Sequence, residues 1–284
     1  MVTTKDAAQV RAQAGYARRF AEVTVFVGVW MALGYLLPND PNLYLLVGVP
    51  LTVAFQLVVR RRPLRELWVR SGPRFRLDRK GVILAAALAI LPAILLVQAL
   101  GARQWIPAAW LVACLAGAVA AAYALRRLRR DEVGNTLRWT AIPAITGVVV
   151  LGALIVPAVI ASPQAPQPLS MIVAGLQSAL LYLSVTFVLE EVSFRGALDA
   201  HVHQPGDPRA WLSAVFLSAL WGLWHLPIAD MSQGIAITVA QLLLVHTIVG
   251  VPLSFAWRRT GLLVAPALAH ALIDGVRNAL IAGL

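Results

Sequence analysis

The sequence predicts an all-α protein that crosses a membrane many times, as a polytopic transmembrane helical bundle of about eight or nine spans. Hydrophobic residues make up 60% of the 284 residues and charged residues only 13%, and the mean hydropathy is +0.76. Soluble domains carry about 25% charged residues, so this composition excludes an ordinary soluble fold. Apolar runs long enough to cross a hydrocarbon core of ~30 Å, which takes about 17 to 25 residues, recur along the whole chain.

Each apolar run predicts one span. In chain order the predicted spans are 21–37, 43–59, 81–100, 108–125, 139–161, 170–195, 210–229, 234–256 and 262–284. The last span is the weakest, because Asp274 and Arg277 interrupt it. The first 20 residues are polar and basic and contain no short apolar core with a cleavage site. The first span is therefore expected to be a retained anchor and not a signal peptide.

The basic residues predict how these spans are oriented. The net charge is +11, and Lys and Arg concentrate in the N-terminal tail and in alternate loops, at 60–80, 126–138, 195–209 and 258–259. The connections at 38–42, 162–169 and 230–233 contain no Lys or Arg, and 101–107 contains only Arg103. The positive-inside rule then places the N-terminus in the cytoplasm. We expect the membrane to be that of a bacterial cell.

The same charge distribution bears on partners. The positive charges follow topology and do not gather on one face or in one domain, so we expect no nucleic-acid partner. The loop from Arg60 to Lys80 is long enough to lie on the inner leaflet and bind anionic lipid head groups. Cys114 is the only cysteine and can form no internal disulfide.

Titratable residues divide the chain into two parts. The first five spans are almost free of such groups at their centres, whereas the chain from residue 170 onward carries six glutamate, histidine and aspartate residues within predicted spans: Glu190, Glu191, His225, His246, His270 and Asp274. We therefore predict a cytoplasmic tail at 1–20, packing helices at 21–169 and a core that carries the chemistry at 170–284. No internal repeat of the kind found in many transporters is present.

The first polar motif is VLEEVSFRGA, residues 188–197. The helix from Ser170 is predicted to continue through this motif to the breaker run QPGDP at 204–208. Glu191 and Arg195 then stand at i and i+4 and can pair, while Glu190 points about 100° away. The alternative is a solvated, structural cluster at a helix end.

The second and third motifs are WGLWHLP and HALID. They place Trp221 with His225, and His270 with Asp274, each pair at i and i+4 on one helix face. Taken singly, His225 fits a hydrogen-bonded core histidine, and Asp274 fits a partner of Arg277. His246, in the middle of a span, fits either a cavity lining or a hydrogen bond to a neighbouring helix.

The three motifs are expected to meet. If the chain reverses near Gly206, an antiparallel hairpin brings Glu190 and His225 to similar depth, because helices rise ~1.5 Å per residue. His270 lies about ten residues beyond the turn at Gly261. A cavity open to the cytoplasm would then hold a carboxylate and two histidines, the groups that water activation needs: a base, a positioning or protonating group and an oxyanion stabiliser.

In this order across 170–284, the motifs resemble those of the CPBP intramembrane proteases, which include the type II CAAX prenyl proteases. The resemblance implies hydrolysis of a peptide bond within the membrane. It implies that Glu190 activates water, that His225 helps to hold that water, and that His270 and Asp274 stabilise the oxyanion. The matching supporting positions are Glu191, Arg195 and Trp221.

Two residues depart from the family pattern. Trp221 stands where phenylalanine is usual, a change expected only to reshape the pocket. Asp274 stands where the eukaryotic prenyl proteases have asparagine, and an ionised carboxylate cannot donate to an oxyanion. Asp274 would instead orient His270, or be protonated where it is well buried.

The cofactor is left open between none and zinc. A zinc ion would take Glu190, His225 and His270 as ligands and keep one position for water. No compact His-Glu-x-x-His helix is present, which favours a glutamate mechanism without metal. The expected partner is a peptide or protein substrate. The rival functions are a non-catalytic peptide-binding, immunity or regulatory protein with the same fold, and a proton-coupled transporter.

Overall fold

The structure, a computed structural model, describes residues 4–38, 40–162, 167–204, 206 and 210–284, with side chains from Gly15 onward. Over these residues the chain is a bundle of helices, and its β structure is limited to one isolated bridge between Val69 and Leu262. Eight stretches are long and apolar enough to cross a membrane. The chain is therefore an integral, multi-pass membrane protein, and the predicted fold class is confirmed.

The α-helices of the described chain are α1 (Thr4–Leu36), α2 (Pro41–Ala54), α3 (Arg79–Gly101), α4 (Trp105–Leu125), α5 (Val133–Ala161), α6 (Pro168–Val185), α7 (Ala200–Val202), α8 (Ala210–Trp224), α9 (Ile235–Thr260) and α10 (Val264–Ile281). Two π-helices follow α2 and α6, at Phe55–Val59 and Val192–Asp199. Three short 3₁₀-helices lie at Leu64–Leu67, Arg130–Glu132 and Leu226–Ile228.

The first eight predicted spans correspond to the eight apolar stretches, and the ninth corresponds to α10. This last helix is not apolar enough to count as a span. Its polar residues His270 and Asp274 are buried, because α10 packs against α4, α5, α6 and α9. Small side chains such as Ala267 and Ala271 are buried in these contacts. The most polar late helix thus runs inside the bundle, where neighbouring helices can meet its charges.

The segment 60–78, which we call the strap, binds other parts of the protein. Its backbone joins the α9–α10 turn, since Arg70 N donates to Gly261 O (2.8 Å) and Leu263 N donates to Trp68 O (2.9 Å). The expectation that the loop 60–80 lies along the inner leaflet stays a prediction. Its first half is docked on the bundle, whereas Arg74, Arg79 and Lys80 are exposed.

The connections cluster at two ends of the bundle as alternating topology requires. The strap, the π-helix after α6 and the α9–α10 turn lie together, and Arg258 Nε donates to Asp199 Oδ1 (2.8 Å) across them. At the other end, Tyr44 OH at the start of α2 donates to Trp224 O at the end of α8 (2.6 Å). Loops that are predicted to lie on the same side of the membrane are therefore found at the same end of the bundle. Which end faces the cytoplasm stays a prediction.

The helix that carries the first motif is broken, contrary to the prediction of one continuous helix from Ser170. Turn residues 186–189 separate α6 from Glu190, and the chain then continues as the π-helix. At the break Val192 N reaches back to Thr186 O (3.3 Å), and Trp68 Nε1 of the strap donates to Phe187 O (2.7 Å). The break is stabilised by a distant segment, and for this reason local helix propensity did not reveal it. The predicted turn at 204–208 falls largely outside the described residues.

Two glycines allow close approaches that fix this region. A Cβ on Gly196 in the π-helix would lie 2.3 Å from Leu67 O of the strap. A Cβ on Gly222 in α8 would lie 2.5 Å from Leu242 O of α9. Contacts under 3 Å exclude any larger residue without movement, so Gly196 allows the π-helix to approach the strap and Gly222 allows α8 to approach α9.

Candidate active site

The three motifs converge on one cavity of about 210 Å³, which we call the polar cavity. Glu190 enters it from the broken helix, His225 from the end of α8, and His270 and Asp274 from α10. Its full lining is Leu151, Tyr182, Glu190, Trp221, His225, Val245, His246, Val249, His270, Ile273, Asp274 and Arg277. Glu191 and Arg195 lie behind the lining, in the protein interior.

Glu190 is held by the second motif. Trp221 Nε1 donates to Glu190 Oε2 at 3.0 Å, and His225 Nε2 stands 3.9 Å from the same oxygen. His225 Nδ1 lies 2.9 Å from Trp221 O, which can only accept, so Nδ1 carries the proton. In the neutral ring Nε2 then presents a lone pair towards Glu190. The expectation that Trp221 only reshapes the pocket is wrong, because its indole N–H makes a bond that phenylalanine cannot make.

Glu191 faces away from the cavity and forms the predicted pair with Arg195. Arg195 Nε lies 3.4 Å from Glu191 Oε2, and both side chains are almost completely buried. Arg195 also donates to Ser254 Oγ (3.0 Å), and its guanidinium lies over the Trp221 ring, 5.2 Å from the centroid. A buried charge is costly unless paired. Arg195 offsets one of the two adjacent carboxylates and supports the indole that holds the other.

His270 links the two carboxylate groups of the site. Its Nδ1 lies 2.9 Å from Glu191 Oε1, and its Nε2 lies 3.4 Å from Asp274 Oδ2. Asp274 Oδ1 in turn lies 3.1 Å from Arg277 Nη1. Asp274 therefore makes both of the contacts considered from the sequence: it faces His270, and it pairs with Arg277. A ring with a carboxylate oxygen at each nitrogen is suited to donate from both.

His246 belongs to the site, although its pattern left two interpretations open. Its ring centroid lies 4.2 Å from that of His225 and 4.7 Å from that of Trp221. Its Nδ1 donates to Leu242 O of its own helix (2.8 Å) and not to a neighbouring helix. A single histidine inside an apolar span stands out in the sequence, and this pattern pointed to His246. Leu151 and Tyr182 also line the cavity, but nothing in the sequence distinguishes them from other span residues.

The proposed zinc ligands do not form a ligand set in this arrangement. Within the described part of the chain, no group of three or more His, Cys, Asp or Glu side chains is placed to hold a metal ion. Of the three residues named for zinc, His270 has both ring nitrogens directed at other carboxylates. The cofactor stays an open prediction for a chelation test.

Residues 172–276 match a family model described as type II CAAX prenyl endopeptidase, Rce1-like. The match includes all seven motif residues, from Glu190 to Asp274, and leaves α1 to α5 outside. No curated protein and no solved structure gives a significant match. The family resemblance predicted from the three motifs is confirmed over this segment, which is similar to the Rce1-like type II CAAX prenyl endopeptidases.

Proposed function

We propose that this protein is an intramembrane endopeptidase in which Glu190 activates water for attack on a peptide carbonyl. The observation that carries the proposal is the placement of Glu190. It lines the polar cavity, fixed by an indole N–H and facing an imidazole nitrogen, while the adjacent Glu191 is taken up by Arg195 and His270. A site that holds one carboxylate ready and neutralises its neighbour is suited to general base catalysis.

The distance between Glu190 and His225 supports a water-bridged pair. At 3.9 Å the two groups are too far apart for a direct hydrogen bond, and a bridging water suits such a separation. In the proposed step, the water oxygen attacks the carbonyl carbon and gives its proton to Glu190. His225 Nε2 accepts the second hydrogen bond of the water and orients its lone pair.

The tetrahedral intermediate needs donors for its oxyanion. His270 Nε2 is suited to this role, because its 3.4 Å separation from Asp274 is long for a hydrogen bond and His270 lines the cavity. Arg277 is a second candidate donor, since its side chain is 37% exposed and also lines the cavity. Asp274 would position both groups and would not itself donate. Collapse of the intermediate breaks the C–N bond, and the proton on Glu190 passes to the leaving amine.

The proposed substrate is a peptide or protein segment that reaches the cavity from the membrane or from the cytoplasmic face. The family match supports a CAAX-type endopeptidase. We do not require the substrate to be prenylated, because the site chemistry described above acts on the peptide bond alone.

The test is cleavage of a quenched peptide library by the purified, detergent-solubilised chain. Glu190→Gln keeps the shape and hydrogen-bonding capacity of the side chain but cannot take the proton. We expect at least a ~10²-fold fall in activity, the low end of general base contributions. The matched control is Glu132→Gln, the same change on a 3₁₀ turn outside the cavity.

Each outcome separates the candidate mechanisms. Wild-type activity that survives chelation and is lost in Glu190→Gln supports the metal-free glutamate mechanism. Loss on chelation, restored by added zinc, would favour the metal mechanism. A folded wild type that binds peptides but cleaves no more than Glu190→Gln would refute the proposal and favour the non-catalytic binding protein.

A further inference from the structure

A second cavity, of about 320 Å³, lies outside the polar cavity and shares none of its lining residues. We call it the basic cavity. It is lined by Arg19 of α1 and by Arg60, Arg62 and Arg70 of the strap, and Glu66 is the carboxylate among its lining residues. Four arginine residues from two separate segments therefore line one space.

Glu66 offsets part of this positive charge. Two further carboxylates near the cavity, Glu22 and Asp199, have other partners. Glu22 pairs with Arg18 (2.8 Å) and with His201 (2.7 Å). Asp199 pairs with Arg258 (2.8 Å). Within the described chain, the buried Nε of Arg19 has no hydrogen-bond partner. The basic cavity thus carries an excess of positive charge and a donor for an anion.

Arg60 is a fixed part of the cavity wall and not a mobile surface side chain. Its guanidinium donates to Gln56 Oε1 (2.6 Å), Gly196 O (2.9 Å) and Ala200 O (3.3 Å), which fixes its orientation. Burial lowers the pKa of Arg60 to about 10. A bound anion would oppose this lowering, because an opposite charge favours the charged form.

The position of the cavity suggests where its ligand comes from. Arg19 lies near the start of the first candidate span, Gly15–Leu36, and Arg60 directly follows the second, Pro41–Val59. Both residues therefore lie at the level at which spans leave the hydrocarbon, where lipid phosphates are found. Arginine matches phosphate through paired N–H donors, and the volume falls in the range of ligand pockets.

We propose that the basic cavity binds a phosphate monoester or inorganic phosphate at the membrane surface, supplied either by a phospholipid headgroup or by a soluble phosphate. The site does not depend on the proposed peptidase activity, because its residues take no part in the polar cavity.

The test is thermal unfolding of the purified full chain in neutral detergent, with short-chain phosphatidic acid, inorganic phosphate, or the matching diacylglycerol as probe. A ligand of the folded state raises the unfolding midpoint. We expect a rise with phosphatidic acid and none with diacylglycerol. An equal rise with inorganic phosphate identifies a soluble source, and a rise with phosphatidic acid alone identifies the headgroup.

The test variant is Arg19→Gln with Arg62→Gln, since neither side chain makes a described hydrogen bond. Its half-saturating concentration should rise by roughly tenfold or more, the loss expected from a charge-assisted hydrogen bond. The control, Arg74→Gln with Lys80→Gln, removes the same charge from exposed positions outside the cavity and should match wild type. Equal losses in the two variants, no rise in wild type, or the same rise with diacylglycerol would each overturn the proposal.

A second measurement needs no variant and decides the case if the double variant fails to fold. Phenylglyoxal modifies accessible arginines, and mass spectrometry locates the adducts. Phosphate or phosphatidic acid should protect Arg19 and Arg62 in the wild-type chain while Arg74 reacts as before. Unchanged modification of Arg19 and Arg62 would contradict the site.

Discussion

Trp221 is the residue on which most contacts of the candidate site converge. Its N–H holds Glu190, its carbonyl holds His225, and its ring contacts His246, His270 and Arg195. A phenylalanine would keep an aromatic ring at this position, although a smaller one, and would remove the N–H. The loss of the indole N–H therefore tests the positioning of Glu190 separately from the packing of the aromatic ring.

Replacing Trp221 with Phe tests this difference. We expect kcat to fall roughly tenfold with KM little changed, because a hydrogen bond to a carboxylate contributes about 1.5 to 3 kcal/mol and Glu190 would lose its fixed orientation. Steady-state cleavage of the best library peptide measures both constants. Trp211→Phe, at an exposed position at the start of α8, is the control. An unchanged kcat would mean that the indole N–H has no part in catalysis.

The sequence was sufficient to name the residues of the site but not all of their partners. Charged and histidine side chains inside apolar spans stand out, so Glu190, His225 and His270 could be selected. Arg277 was noted only as a possible partner of Asp274, and its place in the cavity lining depends on how α6 and α10 pack. Apolar lining residues such as Leu151 resemble every other residue of a span.

At the scale of elements, the break between α6 and the π-helix determines where Glu190 and Glu191 point. π-helical turns are rare and often occur at functional sites. Four contacts hold this one: Trp68 at Phe187 O, Arg60 at Gly196 O, the close approach of Leu67 to Gly196, and Thr52 Oγ1 within 2.6 Å of Ser193 Oγ. Residues between Thr52 and Trp68, which lie outside this helix, therefore stabilise the conformation of the motif.

Changing Trp68 to Phe should disturb the break without touching the polar cavity. The substitution leaves Phe187 O without its donor, which costs about 1 to 3 kcal/mol for a buried acceptor. We expect a lower unfolding midpoint and a lower kcat. Trp105→Phe serves as control, since Trp105 is 69% exposed at the start of α4. Wild-type values for both quantities would show that the strap does not support the break.

Hydropathy predicted the spans well because burying apolar side chains in lipid is a local property of each segment. The break was missed for the opposite reason. Val185, Thr186 and Val188 are β-branched and weaken a helix only slightly. The strap that stabilises the interruption lies more than a hundred residues earlier in the chain, where a pattern search along α6 finds nothing.

For the whole molecule, the orientation in the membrane is a prediction that can be measured. In a Cys114→Ser background, single cysteines at Arg74 and Ser232 lie on opposite ends of the predicted topology, and both positions are exposed. In intact expressing cells, a membrane-impermeant maleimide should label the cysteine at 232 and should label the one at 74 only after lysis. The reverse pattern would place the N-terminus outside.

The strap also bears on how such a protein can change over evolutionary time. The segment with family similarity, residues 172–276, depends on Trp68, Arg60 and Thr52 for its broken helix and on Leu151 for its cavity wall. These four residues lie outside that segment. A chimaera that joins this segment to the first five helices of a different protein with a similar segment would have to bring a compatible strap, so the two parts of the chain are expected to be inherited together and to vary together.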